Sequence, residues 1–223
     1  MIPLADQHRE PRHLFPYVSI VILIINVLVF LWMQFSLSQR GIESFFFTWG
    51  AVPARITSGE AYITLLTSMF IHGGWMHIIG NMLYLWIFGD NVESAMGHGR
   101  YLAFYLLTGV AAAFAQILID PSSEIPAVGA SGAIAGILGA YILFYPSATI
   151  KTLIFLGIFI TVTNISALIV IGLWIVLQIV SGLAELGAAA SGGVAYFAHI
   201  GGFIAGLVLA NLFRQRRQVG MLR

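Results

Sequence analysis

The chain contains no cysteine. That absence excludes a disulfide framework, a thiolate metal site and a cysteine nucleophile together. Charge is nearly as scarce. Asp, Glu, Lys and Arg make up 9% of the 223 residues, against 59% hydrophobic. Soluble domains carry about 25% charged and about 45–50% apolar residues. A water-soluble fold of this length has no place for so much apolar surface, so the composition specifies a polytopic membrane protein. A mean hydropathy of +0.94 agrees. The chain has no H-E-x-x-H stretch, and His72 and His77 stand five apart, which argues against a metal site. Asp6, Asp90 and Asp120 are the only aspartates and none is placed well inside an apolar run, which argues against an aspartyl pair. No cofactor is implied. There is also no repeat of 20–50 residues and no low-complexity tail.

The few charges that exist are placed informatively. Arg9 and Arg12 precede the first apolar run, and Arg214, Arg216, Arg217 and Arg223 follow the last. By the positive-inside rule both ends are cytoplasmic and the number of spans is even. The C-terminal arginines read as topology and headgroup contacts, not as a nucleic-acid patch. Residues 1–16 then form a cytoplasmic segment, 17–213 one membrane domain and 214–223 a basic tail. The first run, 17–35, is long enough to span and has no small-residue cleavage site after it, so it reads as a retained helix.

Six spans follow: about 17–35, 75–91, 101–119, 130–145, 165–183 and 194–213. Residues 36–74 hold Phe45, Phe46, Phe47 and Trp49 beside several charges, which suits a folded loop half-immersed at the interface. Residues 148–163 are apolar but fit neither one helix nor two, and are left as a connecting segment at the cytoplasmic surface. Glu93 with Arg100 is expected to order the turn that contains His98. Met69, Met76 and Met82 are expected to be packing residues. Asn26 and Gln178 are expected to make ordinary interhelical hydrogen bonds.

Ionisable residues inside a membrane suggest function. Two lie well inside spans: His77 and His199. Ser131 lies 15 residues before Pro146, His199 15 before Arg214, and His77 13 before Asp90. At about 1.5 Å per residue each is roughly 20–22 Å above the cytoplasmic end of its helix. Packing alone requires no such agreement. Asn81, four residues after His77, shares its helix face. Ser131 opens its helix after Gly129, so its own N–H is an unpaired helix-start donor. A hydroxyl, an imidazole base and donors from Ser131 N–H, His77 and Asn81 together describe acyl transfer with an oxyanion hole. No acid lies near His199, so the catalytic pair is a Ser–His dyad. Gly132, Ala135, Gly136 and Gly139 on one span and Ala198, Gly202, Ala205 and Gly206 on another form small-residue stripes that let backbones approach closely. His72 is expected to support the site from the mouth of the second span.

Three stretches carry a family resemblance: HGGWMHIIGNMLYLWIFGDNVE at 72–93, GASGAIAGILGAY at 129–141 and AHIGGFIAG at 198–206. In order and spacing they resemble the rhomboid family of intramembrane serine proteases, in its compact six-helix prokaryotic form. The resemblance implies an all-α, six-transmembrane-helix bundle in a prokaryotic inner membrane. It also implies Ser131 as nucleophile, His199 as general base, and His77, Asn81 and the Ser131 N–H as oxyanion donors. Its turn pattern after the second span matches Gly89, Glu93 and Gly97. The implied substrates are transmembrane segments of other proteins. Two positions depart from relatives: Ile63–Thr64 stands where many carry Trp-Arg, and Ala135 where some place a tyrosine on the histidine. The base must then be oriented by other packing. The rival readings are a catalytically silent relative that binds transmembrane helices, and a small-solute transporter.

Overall fold

The computed structural model describes residues 1–7, 14–156, 159–186 and 193–215. Arg9, Arg12, Arg216, Arg217 and Arg223 lie outside the described residues. Six long helices form the bundle: α1 (Tyr17–Ser36), α5 (Trp75–Met96), α6 (His98–Ile119), α7 (Ser131–Phe144), α8 (Ala167–Glu185) and α9 (Tyr196–Phe213). Between α1 and α5 run three shorter helices, α2 (Gln39–Trp49), α3 (Pro53–Thr57) and α4 (Thr64–Thr67), and a 3-10 turn at Ser68–Phe70. The bundle matches the expected spans to within a few residues at most ends.

Helices α1, α6, α8 and α9 are each long and apolar enough to cross a membrane by length and composition. Helix α5 has the length but dilutes its apolar content with His77, Asn81, Asp90, Asn91 and Glu93. Helix α7 has only 14 residues, about 21 Å at 1.5 Å per residue. It is short because it is central: every residue from Gly132 to Tyr141 is buried. Its Cβ-free face meets α6 and α9. A Cβ at Gly136 would stand 2.5 Å from Thr108 on α6, and one at Gly139 would stand 2.6 Å from the Phe203 carbonyl on α9. A short central helix starts below the level reached by its longer neighbours. Its first residue, Ser131, is therefore sunk into the bundle.

Helix α5 turns into α6 through one residue. Gly97 has φ +78°, in the left-handed region that glycine enters without a Cβ penalty. Its N–H caps α5 on the Glu93 carbonyl at 2.7 Å, and its carbonyl accepts from Tyr101 N–H at 2.9 Å. Glu93 is fully buried. Its carboxylate accepts from Val18 N–H at 2.9 Å, Ser19 N–H at 2.8 Å and Ser19 Oγ–H at 2.7 Å, and meets His98 Nδ1 at 2.7 Å. The expected partner, Arg100, instead donates to the Arg214 carbonyl at 3.3 Å. The carboxylate thus closes the N-terminus of α1, where free amides and the helix dipole favour an anion. His98 is the first residue of α6 and part of this knot. Replacing Glu93 by alanine leaves buried donors without an acceptor, at a cost of about 2–4 kcal/mol. A clear fall in the detergent unfolding midpoint is expected, and an unchanged midpoint would refute the assignment.

The segment left without regular structure at the sequence level is a β-hairpin. Strands β1 (Ile2–Asp6), β2 (Thr149–Leu156) and β3 (Phe159–Ser166) form an antiparallel sheet in the order β1-β2-β3. The register pairs Thr149 with Ser166 and Phe155 with Ile160, and Ile2 with Leu153. Six of the eight β3 residues are branched at Cβ or aromatic, which suits a pleated surface better than a helix. Ile150 and Thr152 are buried under the bundle while Lys151 is exposed, the period-2 alternation of a half-buried strand. Asp90 proves to be buried within α5, and Asn91 Nδ2 donates to Asp6 and to Asp90 Oδ1. Asp90 therefore lies inside the bundle, contrary to the sequence reading, and Asn91 links it to Asp6 at the sheet end. Met76 is 82% exposed and does not pack, unlike Met69 and Met82.

Candidate active site

The site forms at the end of the bundle away from the sheet, where α7, α9, α5 and α8 meet. Helix α9 lies against α7 so closely that a Cβ at Gly202 would overlap the Gly132 carbonyl, and one at Gly206 the Gly136 carbonyl. This contact brings the fourth residue of α9 to the first residue of α7. His199 Nε2 lies 2.7 Å from Ser131 Oγ. His199 is buried and Ser131 half-buried. The equal depths read from the sequence thus become direct contact.

Gly129 has φ +131°, a conformation that L side chains rarely adopt. Its N–H is held by the Ser68 carbonyl at 2.9 Å. Two residues earlier, Ala127 exchanges backbone hydrogen bonds with Ala51 at 2.9 and 3.0 Å. The loop before Ser131 is therefore fixed by the segment between α1 and α5, which was expected as a folded loop and is built of short helices. A Cβ on Gly129 would stand 2.7 Å from His77 Nε2 and 3.5 Å from Ser131 Oγ. His77 thus packs directly against the Gly129 backbone, with Ser131 Oγ beside it, and a side chain at 129 would push the imidazole away. Gly73 N–H meets His77 Nδ1 at 3.4 Å, which leaves Nε2 to carry the proton and face the serine. Asn81 Nδ2 donates to the His77 carbonyl at 2.8 Å, so one of its two amide hydrogens remains for another acceptor.

His72 is fully buried, edge-on to His77 with ring centroids 5.1 Å apart. Burial, and secondarily the neighbouring His77, holds its pKa down to about 3. It is a neutral packing partner of His77. Glu93 is distant from the serine, at the sheet end.

Sequence reasoning missed the group that faces the other side of the His199 imidazole. Gln178 on α8 places Oε1 2.7 Å from His199 Nδ1. This is an interhelical hydrogen bond, as expected, but its partner is His199. Trp174, one turn earlier, lies against the same imidazole with centroids 5.6 Å apart and planes 36° apart. Ala135 is fully buried, and α8 supplies the orienting contacts in place of a tyrosine on α7. Asn26, in contrast, bonds within its own helix, to the Ile22 carbonyl at 2.8 Å. Among the described residues no cluster of His, Cys, Asp and Glu is arranged to hold a metal ion.

A family model described as the Rhomboid domain matches residues 59–216. Rhomboid protease GluP of Bacillus subtilis (strain 168) is 32% identical over 125 residues, 56% of this chain and 24% of GluP. Putative rhomboid protease YdcA of the same organism is 28% identical over 129 residues, 58% of this chain and 62% of YdcA. RHOMBOID-like protein 5 of Arabidopsis thaliana is 34% identical over 91 residues, 41% of this chain and 29% of that protein. The chain thus matches between 24% and 62% of the length of these relatives.

Proposed function

The chain belongs to the rhomboid family, and on that basis we propose that it is an intramembrane serine endopeptidase that cleaves transmembrane segments of other proteins. It is an integral, multi-pass membrane protein. The observation that carries the reading is the 2.7 Å approach of His199 Nε2 to Ser131 Oγ at the buried start of α7. A positioned base within hydrogen-bond reach of a hydroxyl is the minimal arrangement for nucleophilic catalysis.

In this mechanism a substrate helix unwinds at its end so that a carbonyl can approach Ser131 Oγ. His199 Nε2 takes the Ser131 proton as Oγ bonds to the carbonyl carbon. The negative charge moves to the carbonyl oxygen, where the Ser131 N–H, His77 Nε2–H and the free Asn81 amide hydrogen meet it. The imidazolium then gives its proton to the leaving amine as the C–N bond breaks. Water, deprotonated by the same nitrogen, hydrolyses the acyl-serine and restores the hydroxyl. The irregular backbone at 127–129 is tolerable in a membrane only where it lines a wet cavity, which also admits this water. We further take both termini as cytoplasmic in a prokaryotic cell, on the arginines that flank the first and last apolar runs, with residues 17–213 as a single membrane domain and 214–223 as a basic tail.

Loss of one oxyanion donor costs about 10²–10³-fold in kcat. His77→Ala is expected to fall in that range with KM little changed, and Asn81→Ala to lose less, since half of its donor capacity serves the His77 carbonyl. A kinetic series on one helical substrate checks this order, and an Asn81 effect exceeding that of His77 would contradict it. The proposal as a whole is tested by a fluorophosphonate probe followed by peptide mass spectrometry. A single adduct on Ser131 that disappears in His199→Ala is expected. Labelling elsewhere, or labelling of Ser131 indifferent to His199, would overturn the dyad.

A further inference from the structure

We propose that Gln178 is a positioning residue that fixes the tautomer of His199, an inference that rests on the proposed hydrolase reading and adds a third member to the dyad. Helix α8 is apolar on nearly every face. Its buried residues are Ala167, Val170, Ile171 and Gly182, and the apolar side chains Leu173, Val176, Leu177, Ile179, Val180 and Leu183 are exposed to lipid. One glutamine on such a helix has a cost unless its amide is satisfied within the protein.

Both ends of that amide are satisfied, and in a way that leaves one choice of protons. Gln178 Nε2 meets the Trp174 carbonyl at 3.3 Å. A carbonyl only accepts, so the group facing it is the amide NH₂. The other end, 2.7 Å from His199 Nδ1, is then the amide oxygen, which also only accepts. Nδ1 must therefore carry the proton in the neutral imidazole. Nε2 is left bare, and it is the nitrogen 2.7 Å from Ser131 Oγ. The relay runs in one direction, from Ser131 O–H to His199 Nε2, and from His199 Nδ1–H through Gln178 to the Trp174 carbonyl. Trp174 holds the ring plane from the same helix. Without Gln178 the neutral imidazole is free to place its proton on Nε2, and in that form it cannot take the serine proton. Gln178 touches only the base, so its role is orientation and not chemistry. As a neutral acceptor it stabilises the imidazolium less than a carboxylate does.

The test uses the full-length protein in detergent or liposomes with Gln178→Leu, Gln178→Glu and the parent. Gln178→Leu is expected to lose roughly 10- to 100-fold in kcat with KM unchanged, because the wrong tautomer idles part of the enzyme and the imidazolium formed in the remainder loses its acceptor, neither of which alters substrate contacts. Gln178→Glu keeps an acceptor on Nδ1 and is expected to recover most of that loss. Its added negative charge favours the imidazolium, so the acidic limb of its pH–rate profile moves to higher pH. Histidine side-chain ¹⁵N spectra, with His199 assigned by His199→Ala, should show Nδ1 protonated and Nε2 bare in the parent and a mixture in Gln178→Leu. A Leu variant as active as the parent would overturn the proposal. Equal losses in Leu and Glu with a lowered unfolding midpoint and an unchanged tautomer would overturn it too, leaving a structural tie between α8 and α9. The spectra also separate the two claims. If the parent cleaves nothing, the hydrolase reading fails, yet a parent His199 protonated on Nδ1 still supports the role of Gln178, and one protonated on Nε2 overturns it.

Discussion

Ser131→Ala and His199→Ala are each expected to reduce cleavage of a helical substrate by on the order of 10⁴-fold or more, with the double variant no slower than the worse single one. The expectation follows from the shared proton. Ser131 Oγ is a poor nucleophile until Nε2 accepts its hydrogen at 2.7 Å. With no hydroxyl the base has nothing to activate, and with no base the hydroxyl stays protonated. Groups that act as a unit are therefore non-additive. Ser131→Ala alters packing little, whereas His199→Ala empties a buried imidazole site and unpairs Gln178 Oε1, so its rate is taken per folded molecule. Ser131→Ala removes one oxygen from a half-buried helix start, and secondary structure and unfolding midpoint should stay close to the parent. Steady-state rates for the four proteins check this. Multiplicative losses in the double variant would mean that the two residues act independently, and would break the dyad.

Gly202→Val is expected to be the most damaging change that touches no reacting atom. Even a Cβ at this position overlaps the Gly132 carbonyl, and a backbone atom of a central, fully packed helix cannot give way as a long side chain can. The helices must separate. That loses close packing and carries His199 away from Ser131. A misplacement of about 1 Å costs on the order of 10²-fold in rate. Both a lower unfolding midpoint and a cleavage loss of at least that size are expected, the latter persisting at temperatures where the variant is fully folded. Gly99, where a Cβ meets nothing within 4 Å, serves as the control, and Gly99→Ala should leave activity unchanged. If Gly202→Val loses stability but keeps its rate per folded molecule, the close approach of α7 and α9 does not set the geometry of the base.

What could be read in advance was what a one-dimensional pattern carries. Distances to the helix ends put Ser131, His199 and His77 at one level because a helix rises uniformly. The i, i+4 spacing put His77 and Asn81 on one face. Glycines marked where α7 and α9 touch. What could not be read was held by contacts remote in sequence. Sequence proximity pairs Glu93 with Arg100, seven residues on, whereas its carboxylate meets His98, five residues on, and Val18 and Ser19, 75 and 74 residues back. The β2–β3 hairpin pairs with Ile2–Asp6, and a count of apolar length hid the branched residues that favour strands. Gln178 had a signal that went unused. It lies 11 residues above Ala167, the first residue of α8, and Ser131 lies 13 above Phe144, the last of α7. The same depth count that united the other three therefore places it within about one turn of them.

The most direct test of the account is reconstitution of the parent and Ser131→Ala proteins in liposomes with a panel of single-span helical substrates, with the products mapped by mass spectrometry. The account predicts two fragments from the parent, cut near the end of the span on the Ser131 side of the membrane, and none from Ser131→Ala. Equal cleavage by both proteins, or binding of every substrate with no cleavage by the parent, would contradict it.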